Sequence, residues 1–511
     1  MKSISITCLI VISCLQHSLS QITFQKTYGV SGDIINSCIQ TTDSGFAFIG
    51  TTTSYGAGNS DIFLVKTNRS GDLEWTKTFG DSSDEIGYSL IQSLDKGFVI
   101  AGHSTSYGAG NTQALIIKID SAGNVTWANV YSANRDCNFN CIKATRDSGY
   151  ILTGSSITSG SLNENVYLLK VDSIGNQEWS KSFGVLVDSD VGTYVEQTAD
   201  GGYILTGNYQ ETSVLLIKTN DLGDTLWTKV FTGGSIEYAN YVHQIADMGY
   251  IISGIASFNT TDENGFILKT DTSGGFSWGK LFGTTADDYF LSASPTSGNG
   301  TIAVGYTNYY GSLDAYLLRA DSLGDTLWTK SYGNSGLQLA QTIVETHDFG
   351  FLIGGSSDSA AYLLKGNVSG ETFCNQEFLP TTITGISVVT HTFSIPTPSI
   401  ITMQNSIQPI VGNGGTINTI CIDLGYSEVS ITSIASLTPN PTDGKSYLCV
   451  PKFKDQETTA TIISLTGKYL FTTKINSHYT ELDLKKYGEG YYFVRVEDKN
   501  SIQLLPLIVM N

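Results

Sequence analysis

Along the first 375 residues, short apolar runs alternate with Gly- and Asp-rich turns at a fixed pitch. One period reads Tyr88-Ser-Leu-Ile-Gln-Ser93, a turn at Asp95-Lys-Gly97, then Phe98-Val-Ile-Ala-Gly102. A longer loop, Ser104 to Asn111, leads to Ala114-Leu-Ile-Ile-Lys118, and Asp120-Ser-Ala-Gly-Asn124 turns into a run around Trp127. Runs this short, bounded by turn residues, predict strands rather than helices. All six tryptophans, Trp75, Trp127, Trp179, Trp227, Trp278 and Trp328, occupy the fourth run, at spacings of 52, 52, 48, 51 and 50 residues. Such a period marks a repeat architecture. A basic residue stands nine positions before each Trp: Lys66, Lys118, Lys170, Lys218, Lys269 and Arg319. Lys365 keeps the phase, with Cys374 in its Trp slot. Asp43, Asp95, Asp147, Asp200, Asp247 and Asp348 fill the first turn, each followed two residues on by Gly, where a positive φ is expected. The sixth repeat departs there, with Ser297-Gly-Asn-Gly300.

Seven sets of first-to-third strands follow, beginning near Ile35, Tyr88, Asn140, Thr193, Tyr241, Phe290 and Leu339. Four antiparallel strands repeated radially predict an all-β fold, a seven-bladed β-propeller over residues 21–375. Phe24-Gln-Lys-Thr-Tyr-Gly29 matches the Trp-Thr-Lys-x-Phe-Gly strand with no strands before it, and is expected to close the seventh blade. A linear solenoid would need polar end caps and has no use for that orphan strand. The Trp series is expected to fill space between blades, with the Lys/Arg stems over the rings and their heads on turn carboxylates.

These motifs resemble the secreted bacterial β-propeller repeats, and Asp200-Gly-Gly-Tyr-Ile-Leu-Thr-Gly207 is a near-ideal copy of their consensus. The resemblance covers residues 22–375 and implies a fold, not an activity. Beyond it the composition shifts: eight of nine prolines fall after residue 379. Residues 376–436 read as a β-rich linker region whose strands pack against the propeller or lead away from it. Residues 437–511 carry Asn440-Pro441-Thr-Asp-Gly444, Gly467 and Gly490-Tyr491-Tyr-Phe-Val-Arg-Val496. This segment resembles the type A C-terminal sorting domain of the type IX secretion system of Bacteroidota. The resemblance implies a small Ig-like β-sandwich and recognition by the type IX export machinery.

The N-terminus fits that destination. Lys2, an apolar run from Ile4 to Leu15 and Ser18-Leu-Ser20 read as a signal peptide, residues 1–20, cleaved before Gln21. Val11-Ile-Ser-Cys14 offers a lipoprotein signal as the alternative. No other run reaches the length of a membrane span, so the mature chain is expected to have no transmembrane segment and to be secreted or held at the outer cell surface. With 28 Lys+Arg against 47 Asp+Glu, a net −19, no nucleic-acid partner is expected. In an oxidising compartment the cysteines can pair. Cys137 and Cys141 are close enough to do so within one loop, and Cys374 and Cys421 bracket the linker region. Zinc at Cys137-x3-Cys141 lacks a second ligand pair.

No histidine of His17, His103, His243, His347, His391 and His478 sits in a nucleophile elbow or metal-protease helix, so no catalytic residues, cofactor or metal are assigned. The Asp-Ser-x-Gly-Asp turns supply too few oxygens for calcium. What varies between repeats is the set of longer connections: Tyr55, Tyr107, Asp84, Asp188, Asn308, Tyr309 and Tyr310 are the ligand-face candidates. The expectation is a non-enzymatic binding module for an extracellular glycan or protein. A quinoprotein-like enzyme and a structural surface component are the alternatives.

Overall fold

The computed structural model describes residues 21–509 apart from 108–110, 133–134, 158–162, 185–188, 211, 235, 258–261, 334–335, 359, 373, 394–402, 415–416, 424–435, 439–444, 450–457, 465–468, 476, 478, 488–489 and 498–501. The chain forms two compact units, residues 1–425 and 426–511.

The first unit is all antiparallel β. Seven sheets follow one another in sequence among the described residues, six of them built from four consecutive strands; in sheet 1 these are Ile34–Gln40, Phe46–Thr52, Asp61–Thr67 and Leu73–Gly80. Sheet 7 has Gln338–Glu345, Phe351–Ser357 and Ala361–Gly366 and takes its fourth strand, Thr23–Tyr28, from the chain start. The first strands touch one another in a closed cycle, with Ile34–Gln40 against both Glu85–Gln92 of sheet 2 and Gln338–Glu345 of sheet 7. They therefore line the inside of a ring. Each carries one bulge, at Asn36, Tyr88, Asn140, Thr193, Asn240, Leu291 and Gln341. A bulge leaves one residue unpaired on its own sheet, and several of these reach the next one: the Asn36, Asn140 and Asn240 amides donate to the carbonyls of Gly87, Gly192 and Phe290.

The repeat residues explain the interlock between sheets. Trp75 pairs across strands with Lys66, and the same register recurs to Trp328 opposite Arg319; in sheet 7 Phe24 stands opposite Lys365. Each aromatic lies against the glycine of the next sheet's third-to-fourth turn. A Cβ at Gly324 would sit 2.5 Å from the Trp278 ring, and at Gly71, 2.7 Å from the Phe24 ring. Phe24 thus closes the ring with the contact that Trp makes elsewhere, while Cys374 does not enter the slot. These glycines also hold φ near +70 to +85°, for instance +72° at Gly71, so both space and conformation demand Gly.

The first turn is built differently from expectation. The positive φ falls on the middle residue of Asp-x-Gly, Ser44, Lys96, Ser148 and Met248, not on the glycine that follows. Gly45 is required because a Cβ there would come 2.3 Å from the Thr67 carbonyl and 2.7 Å from the Lys66 ammonium. That close approach lets the buried lysine reach the turn: Lys66–Asp43, Lys118–Asp95, Lys170–Asp147, Lys218–Asp200, Lys269–Asp247 and Lys365–Asp348 are all ion pairs. Sheet 6 has no turn Asp, and Arg319 reaches instead to Glu345 of sheet 7, at 3.0 Å.

The region after the ring wraps it. Gln376–Phe378, Thr382–Ile386, Val389–Phe393, Met403–Ser406, Ile410–Gly412 and Ile417–Asp423 add a fifth, outermost strand to sheets 6, 5, 4, 2, 1 and 7 in that order. Sheet 3 has four strands among the described residues. In the other six sheets the fourth strand would otherwise present unpaired backbone groups along its edge, and the belt pairs with part of that edge. Pro380 and Pro409 fall between belt strands, where no amide hydrogen is needed. Cys374, at the start of the belt, is disulfide-bonded to Cys421 at its end.

The second unit holds two antiparallel sheets. One has Ser436–Thr438, Lys445–Cys449 and Tyr479–Asp483; the other has Tyr469–Lys474, Thr459–Ser464, Gly490–Glu497 and Ile502–Val509. Leu448 and Leu482 from the first meet Ile462, Val494 and Leu507 from the second in one buried core. The alternation of Tyr492, Val494 and Val496 toward that core is the period-two pattern of a half-buried strand.

Candidate functional site

The short turns, first-to-second and third-to-fourth, lie at one end of the strands, and the longer connections at the other. At that second end the structure sorts the sequence-predicted residues into two groups that do not meet. Asn308, Tyr309 and Tyr310 are exposed on the second-to-third connection of sheet 6. Tyr55, Asp84 and Tyr107 belong to sheets 1 and 2, and Asp188 lies outside the described residues.

In sheet 6 the Tyr310 loop and the belt enclose a cleft of about 400 Å³ lined by Tyr310, Gly311, Ser312, Asp314, Ser331, Gly333 and Glu377. Tyr310 crosses Tyr309 edge-on at 4.9 Å, and its hydroxyl donates to the Phe378 carbonyl at 2.8 Å. The belt therefore fixes the loop. Asp314 opens the third strand and accepts from the Ser312 hydroxyl at 3.3 Å. It is only 5% exposed, and burial holds its carboxyl above the ordinary value. Gly333 makes room for it, since a Cβ there would lie 1.8 Å from the carboxylate oxygen. Burial, then the charge of Glu377, raise the Tyr310 hydroxyl, which stays protonated. The lining offers two carboxylates, two serines and one aromatic face: acceptors for hydroxyl or ammonium donors beside a flat apolar surface.

The group in sheets 1 and 2 is more enclosed. Tyr55 is half-buried, stacks on Phe63 at 6.3 Å and backs onto Gly414 of the belt. Tyr107 is half-buried against the core between these sheets, with its hydroxyl raised by burial and by Asp81, Glu85 and Asp61. Asp61 accepts from the Ala57 and Gly58 amides and Glu85 from the Asp81 amide and Ser104 hydroxyl. Asp61 and Glu85 brace the loops through these bonds.

Sequence reasoning missed Asp314, Ser331 and Glu377. Asp314 had a signal: the first position of the third strand is Asp61, Gln113, Asn165, Ser213 and Asn264 in sheets 1 to 5, a polar position in phase with the repeat. Glu377 sits on the belt, which carries no repeat. The six tryptophans are half-buried interlock residues. The side chains that open the third-to-fourth turns are engaged: the Asn68 carboxamide oxygen, for example, accepts from the Ser70 and Asp72 amides, and the Asp120 carboxylate from those of Ala122 and Asn124.

The expected pairing of Cys137 with Cys141 is wrong. Both are buried thiols on one strand, Cys137–Ala144, whose bulge separates them into different cores. Cys137 donates to the Tyr131 carbonyl at 3.0 Å, and Cys141 makes a long contact with that of Val195. Of the sorting motif, Asn440, Pro441, Gly444 and Gly467 lie outside the described residues, while Gly490 and Tyr491 open the strand Gly490–Glu497.

No curated protein matches the chain. Among solved structures, Sqt1 from Chaetomium thermophilum matches with a TM-score of 0.42 at 11% identity, over 66% of this chain and 97% of that one. No helix among the described residues is long and apolar enough to cross a membrane. Residues 436–510, the segment that forms the two-sheet second unit, match the family described as the secretion system C-terminal sorting domain, which implies export through type IX secretion.

Proposed function

We propose that this protein is an exported seven-bladed β-propeller that binds a polar extracellular ligand, a glycan or a protein loop, without catalysis of its own. The closed cycle of seven first strands supports the propeller reading, and the shared core of two facing sheets supports an Ig-like sandwich for the sorting domain. Residues 1–20 serve as the signal peptide, and the chain ends at the outer cell surface of a Bacteroidota cell or is released from it.

The observation that carries the binding reading is the cleft at Tyr310. It is a concave site on a rigid scaffold, with convergent polar groups and one aromatic ring, and it departs from the corresponding loops of the other sheets. A glycan array and a surface-protein extract screened with the secreted chain test it. Tyr310→Ala and Glu377→Gln should each weaken capture at least about tenfold, the loss expected for a hot-spot aromatic or a charged hydrogen-bond partner. Ligand capture unchanged by both variants, with folding intact, overturns the site.

A further inference from the structure

Seven like repeats place like positions around the bore, so a departure confined to one arc needs a local reason. Three residues beyond each first-strand bulge, sheets 1, 2 and 7 present Ile39, Ile91 and Val344, and sheet 6 presents Ser294. Sheets 3, 4 and 5, side by side, present Lys143, Glu196 and His243 instead. One residue beyond the bulge the same arc differs again: Ser37, Ser89, Ser292 and Thr342 elsewhere, Tyr194 and Tyr241 in sheets 4 and 5.

These side chains form one connected cluster. Glu196 uses one carboxylate oxygen to accept from the Gln244 amide at 2.6 Å and the other for His243 Nδ1 at 3.0 Å. That partner sets the imidazole so that Nδ1 carries a proton and Nε2 points away from Glu196. Tyr241 stacks on the imidazole at 6.5 Å and packs on Tyr194 at 4.6 Å. Lys143 rests its ammonium 4.5 Å over the Tyr194 ring, and Arg146, in the adjoining turn, donates to the Ala199 carbonyl at 3.1 Å. Lys143, Glu196 and His243 are half-buried.

Charge makes this arc unusual. The chain carries a net −19, and the repeat lysines of the ring are spent on turn carboxylates. Lys143 and Arg146 stand in no ion pair among the described residues; Glu196 is committed to His243 and a backbone amide, and Asp147, next to Arg146, to Lys170. A half-buried lysine held over an aromatic ring, with an exposed arginine three residues on in the adjoining turn, gives this acidic protein a local positive charge that suits an anion.

We propose that the arc formed by sheets 3 to 5 is a second ligand site, separate from the Tyr310 cleft, that takes a carboxylate-bearing small molecule. Lys143 supplies the charge, Arg146 lies within the same turn-side mouth, and His243, oriented by Glu196, adds a polar contact. The carboxylate can belong to an acidic sugar or to a free peptide terminus.

Calorimetric titration of the full secreted chain distinguishes these. The probes are sodium glucuronate, methyl glucoside, acetyl-alanine and acetyl-alanine amide. Binding of glucuronate but not methyl glucoside, weakened about tenfold or more by Lys143→Met and restored by Lys143→Arg, supports the site with a sugar acid as ligand. Binding of acetyl-alanine but not its amide, with the same dependence, supports it with a peptide terminus. Tyr310→Ala should leave either response unchanged, which keeps this test separate from that of the cleft. Absence of carboxylate binding, or binding indifferent to Lys143→Met in a protein whose melting is unaltered, overturns it.

Discussion

Cys374 and Cys421 are joined at the seventh sheet, and the described belt strands between them pair in turn with sheets 6, 5, 4, 2, 1 and 7. The bond therefore closes a covalent hoop around the sheets. Without the bond the belt is held by edge pairings that run from three residues on sheets 6 and 1 to six on sheet 7. With it, the belt cannot peel from one end.

Loss of the hoop is the first prediction. Closing a loop of this length removes about 4 kcal/mol of unfolded-state entropy in the chain-entropy model. Cys374→Ser or Cys421→Ser should lower stability by about 2–4 kcal/mol and expose belt backbone amides to hydrogen exchange before the ring opens. Denaturant midpoints and exchange mass spectrometry with and without reductant check it. A reduced chain as stable as the oxidised one would show that the hoop carries no load.

Ring closure at Phe24 is the second. The side chain is fully buried, edge-on to Phe46 of sheet 1 at 5.7 Å, and contacts the Gly71 turn. Phe24→Ala should cost about 3–5 kcal/mol. Gly71→Ala, which forces a side chain into that ring at φ +72°, should destabilise the same junction. Exchange protection should fall first in Phe46–Thr52 and Ala361–Gly366, and equal loss in sheets 3 and 4 would place the weak point elsewhere.

How far this fold could be read from the chain depends on what holds each part. The Trp slot, the basic residue nine before it and the Asp-x-Gly turn recur because each makes the same contact in each sheet, so their period was legible, and Phe24 could be placed by its likeness to Trp75. The belt was not. Its strands, such as Thr382–Ile386, are largely exposed, and it sends only scattered side chains, Leu379, Ile386 and Ile407 among them, into the cores, so no apolar period marks them. Cys137 and Cys141 misled because a strand bulge between them cannot be seen in sequence. The bulges also hid the bore: Lys143, Glu196 and His243 share a phase only when the repeats are aligned on the unpaired residue. Asp314 was legible as a recurring polar position, but Glu377 faces it from the belt.

Acid sensitivity of the lysine–aspartate pairs is the third prediction. Burial alone would raise the Asp95 carboxyl, but hydrogen bonds from Lys118, Ser93 and the Gly97 amide outweigh it and bring the pKa to about 2; Asp43 and Asp147 behave alike. A lowered folded-state pKa means the stabilisation is present in full above the unfolded value, about 4, and is lost as pH falls through about 2. Asp95 is largely exposed, so solvent screening limits its share to about 1 kcal/mol. Asp95→Asn should be less stable than wild type at pH 7, and the gap should close by pH 2. A gap constant over that range would show that the charge of Asp95 contributes nothing.

The last prediction concerns export. The first compact unit has its own cores, its own closure and its own disulfide, and the second buries an independent core of Leu448, Ile462, Val494 and their neighbours. Each unit thus has a buried core of its own. Deleting residues 436–511 should therefore leave a folded ring with an unchanged melting transition, but one retained behind the outer membrane. Joining that segment to another signal-peptide-bearing protein should carry it across. Within the segment, Leu482→Ala or Val494→Ala removes buried core volume and should cost about 2–5 kcal/mol, blocking export while the ring itself stays folded. Cell fractionation with surface proteolysis separates these outcomes. If the truncated chain still reaches the surface, export does not run through the C-terminal unit, and the lipobox at Cys14 becomes the route to test.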